Sequence, residues 1–298
     1  VEAGVHTLLE HGYRRLMPYV LTKSFPHSTA SEAGRLTGFQ SQVLTMSTGC
    51  TSGFNGIGYA CREIVAERAD AFLCIATDSC LAKHVFGGFC RSGMLSTNND
   101  DPHHASRPFD AKRDGGILGE GAAAFFLEER DHARRRGAPA LAEILGFATG
   151  GAGYRVGEAD AVQDSMATVM RDAMISANCA PESIDYLGCH GVSDPTLDAY
   201  ETVAIKQAFG PRATRLPMSS IKGAIGIPQN AAGALQLVAA IQALNTGILP
   251  QTLNLEFPDP ACDLDYIPGK PRRNAITRAM VFTHGFNGSD AALVIAQG

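Results

Sequence analysis

Apolar and polar positions along this chain switch between two spacings. Short runs rich in β-branched and aromatic residues predict strands at Val43–Thr48, Ala71–Thr77, Ala122–Leu127, Leu141–Ala148, Ile184–Gly188, Met280–Thr283 and Ala291–Ala296. Helical spacing predicts helices at Cys50–Glu67, Asp160–Ala177, Pro195–Phe209 and Asn230–Asn245. Gly210-Pro211 and Gly247 supply helix stops at the ends of the last two. Strands alternating with helices predict an α/β fold.

Two of the helices are unlike surface helices. Cys50–Ala60 has no charged residue and carries Gly53, Gly56, Gly58 and Ala60; Asn230–Asn245 also lacks charge and is rich in alanine. Helices that are apolar or small on every side are buried, and small residues let neighbouring backbones approach. One such helix amid each set of strands predicts two similar halves. The charged and then Gly/Pro-bearing stretch Glu128–Pro139 marks their boundary, giving halves at 1–136 and 137–298. Residues Val1–Gln40 read as helical and then irregular, with no strand before Val43. The first half is therefore short of strands, and the expectation is that an amino-terminal portion is missing.

With 298 residues, 45% hydrophobic and 18% charged, the chain can bury a sizeable core. The net charge is -5 and the longest basic run is Arg134-Arg135-Arg136, so neither a nucleic-acid nor a membrane surface is indicated. The eight cysteines form no CxxC pair and read as free thiols in a reducing compartment. No apolar run reaches membrane-spanning length, and a cytoplasmic location is expected. The glycine-rich segments form no dinucleotide or Walker pattern, so no metal or redox cofactor is implied.

The segment Val43–Gly53 predicts a strand, a tight turn and the start of the first buried helix. A cysteine at such a helix start, Cys50, faces unpaired N–H groups and the positive end of the helix dipole, which favour thiolate. The same N–H groups can hold the oxyanion of an acyl intermediate. A buried, inert cysteine is the other reading. His190 falls between a strand end and a helix, where a neutral imidazole can donate to a thioester carbonyl; a surface-loop histidine is the alternative. Cys189 alternates with His190 along the strand and so faces the other way, into the core.

Two blocks bring a resemblance. Ser47-Thr-Gly-Cys-Thr-Ser-Gly53 resembles the active-site block of the β-ketoacyl-(acyl carrier protein) synthases, and Ser106–Gly121 matches that family's long Arg-Pro-Phe-Asp…Gly-Glu-Gly signature almost throughout. With the blocks below, the resemblance covers essentially the whole chain. It implies a thiolase-like fold, two similar βαβαβ-type halves in a layered α-β-α-β-α arrangement. It also implies that Cys50 takes the acyl chain from its carrier. His190, Gly191, Asp198 and Glu201 fall in register with His-Gly-Thr-x-Thr…Asp-x-x-Glu, which makes His190 catalytic and gives Asp198 and Glu201 a polar network behind it; apart from the register, the two acids would read as an exposed helix face. Lys222, in Ser219–Gly226, occupies the position of the family's lysine, which sets the local field and tunes the histidine. Gly285-Phe-Asn-Gly288 resembles the Gly-Phe-Gly-Gly loop, whose aromatic, here Phe286, gates the acyl pocket and completes the oxyanion hole with the N–H of Cys50; Asn287 and Gly288 complete that substrate loop.

The departures bear on the reaction. Where the family has a second histidine, this chain has Ile227 in Gly226-Ile-Pro-Gln-Asn-Ala-Ala-Gly233. Removing one preorganised donor to an enolate typically costs about 2.7–4 kcal/mol. Val192 and Asp194 replace threonines that contact the pantetheine arm in the family, and Asn287 and Asp290 alter the last loop. His284, Gln229 and Asn230 are the candidate replacement donors; His103 and His104 lie in a polar stretch and read as solvent-facing.

The implied function is a ketosynthase-type acyltransferase (3-oxoacyl-ACP synthase) in fatty-acid or polyketide synthesis. It would form a Cys50 acyl enzyme and complete a Claisen-type condensation, or pass the acyl group to a different acceptor. The alternative is a chain-length-factor-like, non-condensing partner of an active ketosynthase; such subunits typically lack the cysteine that is present here. The resemblance implies an acyl carrier protein as partner, with substrate on the phosphopantetheine of the carrier or on coenzyme A, and a dimer with itself or with a ketosynthase-like subunit.

Overall fold

The computed structural model describes residues 2–40, 42–153, 159–286 and 288–298. The chain divides into two compact units, Val1–Ser47 and Thr48–Gly298. The first holds helices α1 (Glu2–His11), α2 (Val20–Ser24) and α3 (Ser28–Thr37), the last closed by Gly38 in a left-handed conformation. The helical start of the opening segment forms as expected, but its later part is corrected from irregular to helical, since Ser28–Thr37 forms α3.

The second unit contains α4 (Ser52–Val65), β1 (Ala71–Ser79), α5 (Lys83–Ser92), β2 (Glu120–Glu128), α6 (Arg130–Arg135), β3 (Ala142–Gly151), α7 (Ala159–Ser176), β4 (Tyr186–Gly188), α8 (Leu197–Phe209), β5 (Met218–Ser219), α9 (Lys222–Ile225), α10 (Ala232–Thr246), β6 (Ile248–Leu249), β7 (Arg272–Arg273), β8 (Arg278–Gly285) and β9 (Ser289–Gln297). Strands β3-β9-β8-β4-β5 form a five-stranded mixed sheet, in which β4 runs parallel to both neighbours and β8–β9 is an antiparallel hairpin. Strands β1 and β2 pair antiparallel, as do β6 and β7.

Helix α10 packs against β8, β4, β9, β2 and α4, while α4 packs against β1. Helices α4 and α10 thus form a central layer between the sheets, as the uncharged stretches Cys50–Ala60 and Asn230–Asn245 predict. Helices α7 and α8 pack on each other, and α7 lies against β3 and β9. Close approach requires small residues in this layer: a Cβ on Gly58 would overlap the Phe147 ring of β3. One apolar cluster, with Met166, Met170, Leu187 and Phe282, fills the space under α7 and α8; another, with Phe54, Ile57, Leu237 and Leu293, joins α4 and α10 to the sheet.

The expected strand Val43–Thr48 does not form. Residues 42–47 are irregular, and only an isolated bridge, Thr48 with Cys50, follows. A strand exists by pairing, and β propensity without a neighbouring ladder leaves extended but irregular chain. The other predicted strands and helices form within a few residues of their expected limits, and Gly210 and Gly247 cap α8 and α10 with positive φ. Among the described residues no helix is long and apolar enough to cross a membrane.

Candidate active site

The site begins at a turn. Gly49 takes φ +69°, a left-handed conformation that favours glycine, and swings the chain into α4. Ser52 Oγ ties the turn together, accepting the N–H of Thr48 at 2.8 Å and donating to Gly49 O at 2.7 Å. Cys50 therefore sits just ahead of the helix start, 5% exposed. The Lys222 charge and, after it, the main-chain N–H groups of Cys50 and Phe286 favour the thiolate. Burial outweighs them and, helped by Asp78, pushes the thiol up to about 11. The expected resting thiolate is thus corrected to a neutral thiol, because desolvation of a buried anion exceeds the attraction of a few N–H dipoles. The S–H points to Gln229 Oε1 at 3.4 Å.

His190 follows β4 and is likewise buried. Thr283, at the end of β8, links it to the cysteine: its hydroxyl donates to Cys50 O at 3.3 Å and lies 3.5 Å from His190 Nδ1. Burial first, then the charges of Lys222 and His284, hold the imidazole well below its ordinary pKa, so it is neutral. Thr283 was not among the candidates from sequence. Its only signal is its place at a strand end beside the last loop.

The acids of α8 are buried, not an exposed face. Glu201 accepts the N–H groups of His190 at 2.6 Å and Gly191 at 2.7 Å; Asp198 accepts those of Val192 at 2.9 Å and Phe109 at 2.8 Å. Burial raises Glu201 to about 7 and Asp198 to about 6, against the opposing pull of these N–H groups. Lys222 Nζ donates to the carbonyl oxygen of His190, and burial lowers its pKa. Both sides of the His190 peptide chain are thereby held, by an acid and by a lysine. The signature block serves the same frame. Arg113 donates to Asp259 at 2.5 Å and to Pro195 O at 2.9 Å, with its Nε 3.7 Å from Asp198, while Asp110 accepts the N–H groups of Glu256 at 2.8 Å and Phe257 at 2.7 Å.

At the position of the absent histidine, Ile227 is buried, paired through its main chain to Ile117 and Gly119, with its side chain against Gly116. Gln229 adopts φ +39°, unusual for a residue with a side chain, and brings its amide to the sulfur. Asn230 hydrogen-bonds through its N–H to Asp78 and through Oδ1 to the Ser52 hydroxyl. Asp194 accepts the N–H groups of Thr196 and Leu197, both at 2.8 Å, and so caps the start of α8.

Phe286 is 57% exposed at the tip of the β8–β9 hairpin, and Gly288 closes the turn by donating to Gly285 O at 3.0 Å. Asn287 lies outside the described residues. His284, beside this turn, is buried with its ring edge-on to that of His190, centroids 5.8 Å apart. Cys189 is fully buried in the core; His103 is exposed and His104 pairs with Asp101. All eight cysteines are free thiols.

A layered α/β body of this kind is shared with solved thiolase-like structures. One is a type II polyketide synthase acyl-carrier protein in complex with its ketosynthase bound to the hexaketide (TM-score 0.94, 30% identity, 99% of this chain and 75% of that one). Another is a β-ketoacyl synthase from Burkholderia phymatum (TM-score 0.90, 33% identity, 100% and 72%). The models of the β-ketoacyl synthase N-terminal and C-terminal domains match residues 3–133 and 141–256. The chain is 36% identical over 297 residues to 3-oxoacyl-[acyl-carrier-protein] synthase 2 of Coxiella burnetii, spanning 100% of this chain and 72% of that protein. It is 39% identical over 298 residues to the tetracenomycin polyketide synthase ketoacyl synthase alpha subunit of Streptomyces glaucescens, spanning 99% and 69%. The chain belongs to the β-ketoacyl synthase family. It is accordingly a ketosynthase-type acyltransferase of fatty-acid or polyketide synthesis.

Proposed function

We propose that Cys50 is the acyl-accepting nucleophile and that the chain completes condensation from a Cys50-bound acyl group. The observation that carries this reading is the Thr283 hydroxyl, which donates to Cys50 O at 3.3 Å and lies 3.5 Å from His190 Nδ1, bringing the cysteine at the helix start and the imidazole to one site. The thiol gives up its proton as it attacks the thioester carbonyl, and the same proton leaves with the departing carrier thiol. The main-chain N–H groups of Cys50 and Phe286 then face the carbonyl oxygen, where preorganised donors act most strongly because negative charge develops there. His190 supplies a neutral ring that can exchange the proton, held in place by Glu201 and Lys222 through its main chain. Asp198 supports the adjoining turn, and Phe286, with Asn287 and Gly288 beside it, gates the acyl pocket.

The acyl group arrives on the phosphopantetheine of an acyl carrier protein or on coenzyme A, with no metal or redox cofactor, and the enzyme works in the cytoplasm as a dimer. A solved relative is described as an acyl-carrier protein in complex with its ketosynthase, and another as a ketosynthase/chain length factor, which supports both kinds of partner. The halves 1–136 and 137–298 correspond to the two family domains; the separate matches at 3–133 and 141–256 support that division.

Intact-protein mass after incubation with acyl thioesters tests the reading. One acyl group per chain is expected in the native protein and none in Cys50→Ala. Absence of acylation, together with obligatory co-purification of a ketosynthase-like chain, would assign the chain to the non-condensing partner role.

A further inference from the structure

Gln229 has no part in the steps above, yet it touches the reacting atom: the Cys50 S–H donates to its Oε1 at 3.4 Å. Its φ of +39° is a conformation that side chains rarely adopt, and such strain persists only where the surroundings enforce it. They do so from both sides. Before it, the Ile227 N–H donates to Ile117 O at 2.7 Å, and Ile227 O accepts the Gly119 N–H at 3.1 Å. After it, the Asn230 N–H donates to Asp78 Oδ2 at 3.1 Å, and Asn230 Oδ1 accepts the Ser52 hydroxyl at 3.0 Å. Ser52 also ties the turn that carries Cys50, so amide and sulfur are fixed to one frame. The end of the side chain is freer. Gln229 Nε2 has no hydrogen-bond partner among the described residues and is not closed off in the interior. The last torsion of a glutamine is broad and two-fold, so half a turn puts Nε2 where Oε1 was and breaks only the bond from the S–H. The two ends suit the two states of the sulfur: an amide oxygen accepts from a thiol, and an amide N–H donates to a thiolate.

We propose that Gln229 is a further catalytic residue of this site, an amide that accepts the Cys50 S–H at rest and donates through Nε2 to the sulfur whenever it carries negative charge. This rests on the Cys50 acyl-enzyme reading. In acylation the C–S bond to Cys50 forms and the C–S bond to the carrier breaks, while the thiol proton passes by way of His190 to the departing carrier sulfur. An amide oxygen is too weak a base to keep that proton. In condensation a C–C bond forms to the acyl carbon, the C–S bond to Cys50 breaks, and the thiolate so released recovers a proton from water. The sulfur is charged on both occasions, and Nε2 meets it on both. A hydrogen bond to a charged group is stronger than one between neutral groups, so exchanging one end of the amide for the other favours the thiolate.

The experiment compares native protein, Gln229→Met and Gln229→Glu in two rates read by mass: alkylation of Cys50 by iodoacetamide across the pH range, and acylation of Cys50 by an acyl carrier protein thioester. Methionine keeps the length of the side chain, unbranched, and has no N–H. The charged and titratable groups around the sulfur, Asp78, Cys80, Lys222 and His190, are the same in all three proteins. Gln229→Met is expected to alkylate and to acylate about tenfold more slowly at each pH, with its alkylation profile moved toward alkali. Gln229→Glu, which sets a carboxylate against the thiolate, is expected to be slower still. Alkylation of folded Gln229→Met at the native rate or faster overturns the proposal, whatever its stability in urea, because a purely structural side chain would leave the thiol profile where it is. If Gln229→Met does not fold, Gln229→Glu decides, and a native profile in it overturns the proposal. A native protein whose Cys50 is alkylated but never takes up an acyl group overturns the acyl-enzyme reading, while the alkylation rates still decide on Gln229, so the two failures are told apart.

Discussion

Glu201 holds the loop of His190 by its backbone: one carboxylate oxygen accepts the His190 N–H at 2.6 Å, and the other accepts that of Gly191 at 2.7 Å. The imidazole is left free of the acid while its main chain is pinned from α8. Glu201→Gln replaces one of the two accepting oxygens with a donor, stranding a buried N–H. The expected cost is about 1–3 kcal/mol in urea unfolding, and an unchanged midpoint would show that the bond is dispensable.

The same residue gives a pH test. Burial raises Glu201 from 4.5 to about 7 and Asp198 from 3.8 to about 6, so both bind protons more tightly in the folded state than in the unfolded chain. Their contribution to stability is full below the unfolded values and is lost as pH rises through 6 and 7. The difference in unfolding free energy between native protein and Glu201→Gln should therefore shift against the native protein between pH 4.5 and 7. A difference that is flat across that window contradicts the raised acid.

Cys50 should label slowly at neutral pH. With its thiol pushed up to about 11, iodoacetamide modification followed by peptide mass should climb about tenfold per pH unit and show no plateau below pH 10. Lys222→Met removes a charge that lowers the thiol and should move the profile further toward alkali. A plateau near pH 7 would mean a resting thiolate.

Gly58 meets the Phe147 ring across the central helix layer. Gly58→Val is expected to destabilise the fold by about 1–3 kcal/mol through overpacking, although valine is the better helix former. Denaturant unfolding measures this, and a neutral effect would show that α4 and β3 can move apart.

Malonyl carrier protein tests the consequence of Ile227. Carbon dioxide release by the native protein should be slower than by Ile227→His, by up to about 10²–10³-fold, the usual worth of one oxyanion donor. Equal rates in the two proteins would show that another group already supplies that donor.

The sequence by itself determined much of this protein. Period and composition placed most of the long strands and helices, though not α5, and picked out α4 and α10 as buried because Cys50–Ala60 and Asn230–Asn245 carry no charge. The spacing of the family blocks singled out Cys50, His190, Asp198, Glu201 and Lys222 before any contact was visible. These signals are local or lie in fixed register, and so can be read along a line. Only the tertiary structure decided that the strand expected at Val43–Thr48 does not form, that Thr283 joins Cys50 to His190, and that His284 faces Asp290. It also decided that Cys50 rests as a thiol. A thiolate's stability is a sum over every group around the sulfur, and the largest contribution is the water that folding removes, for which no residue in the sequence stands.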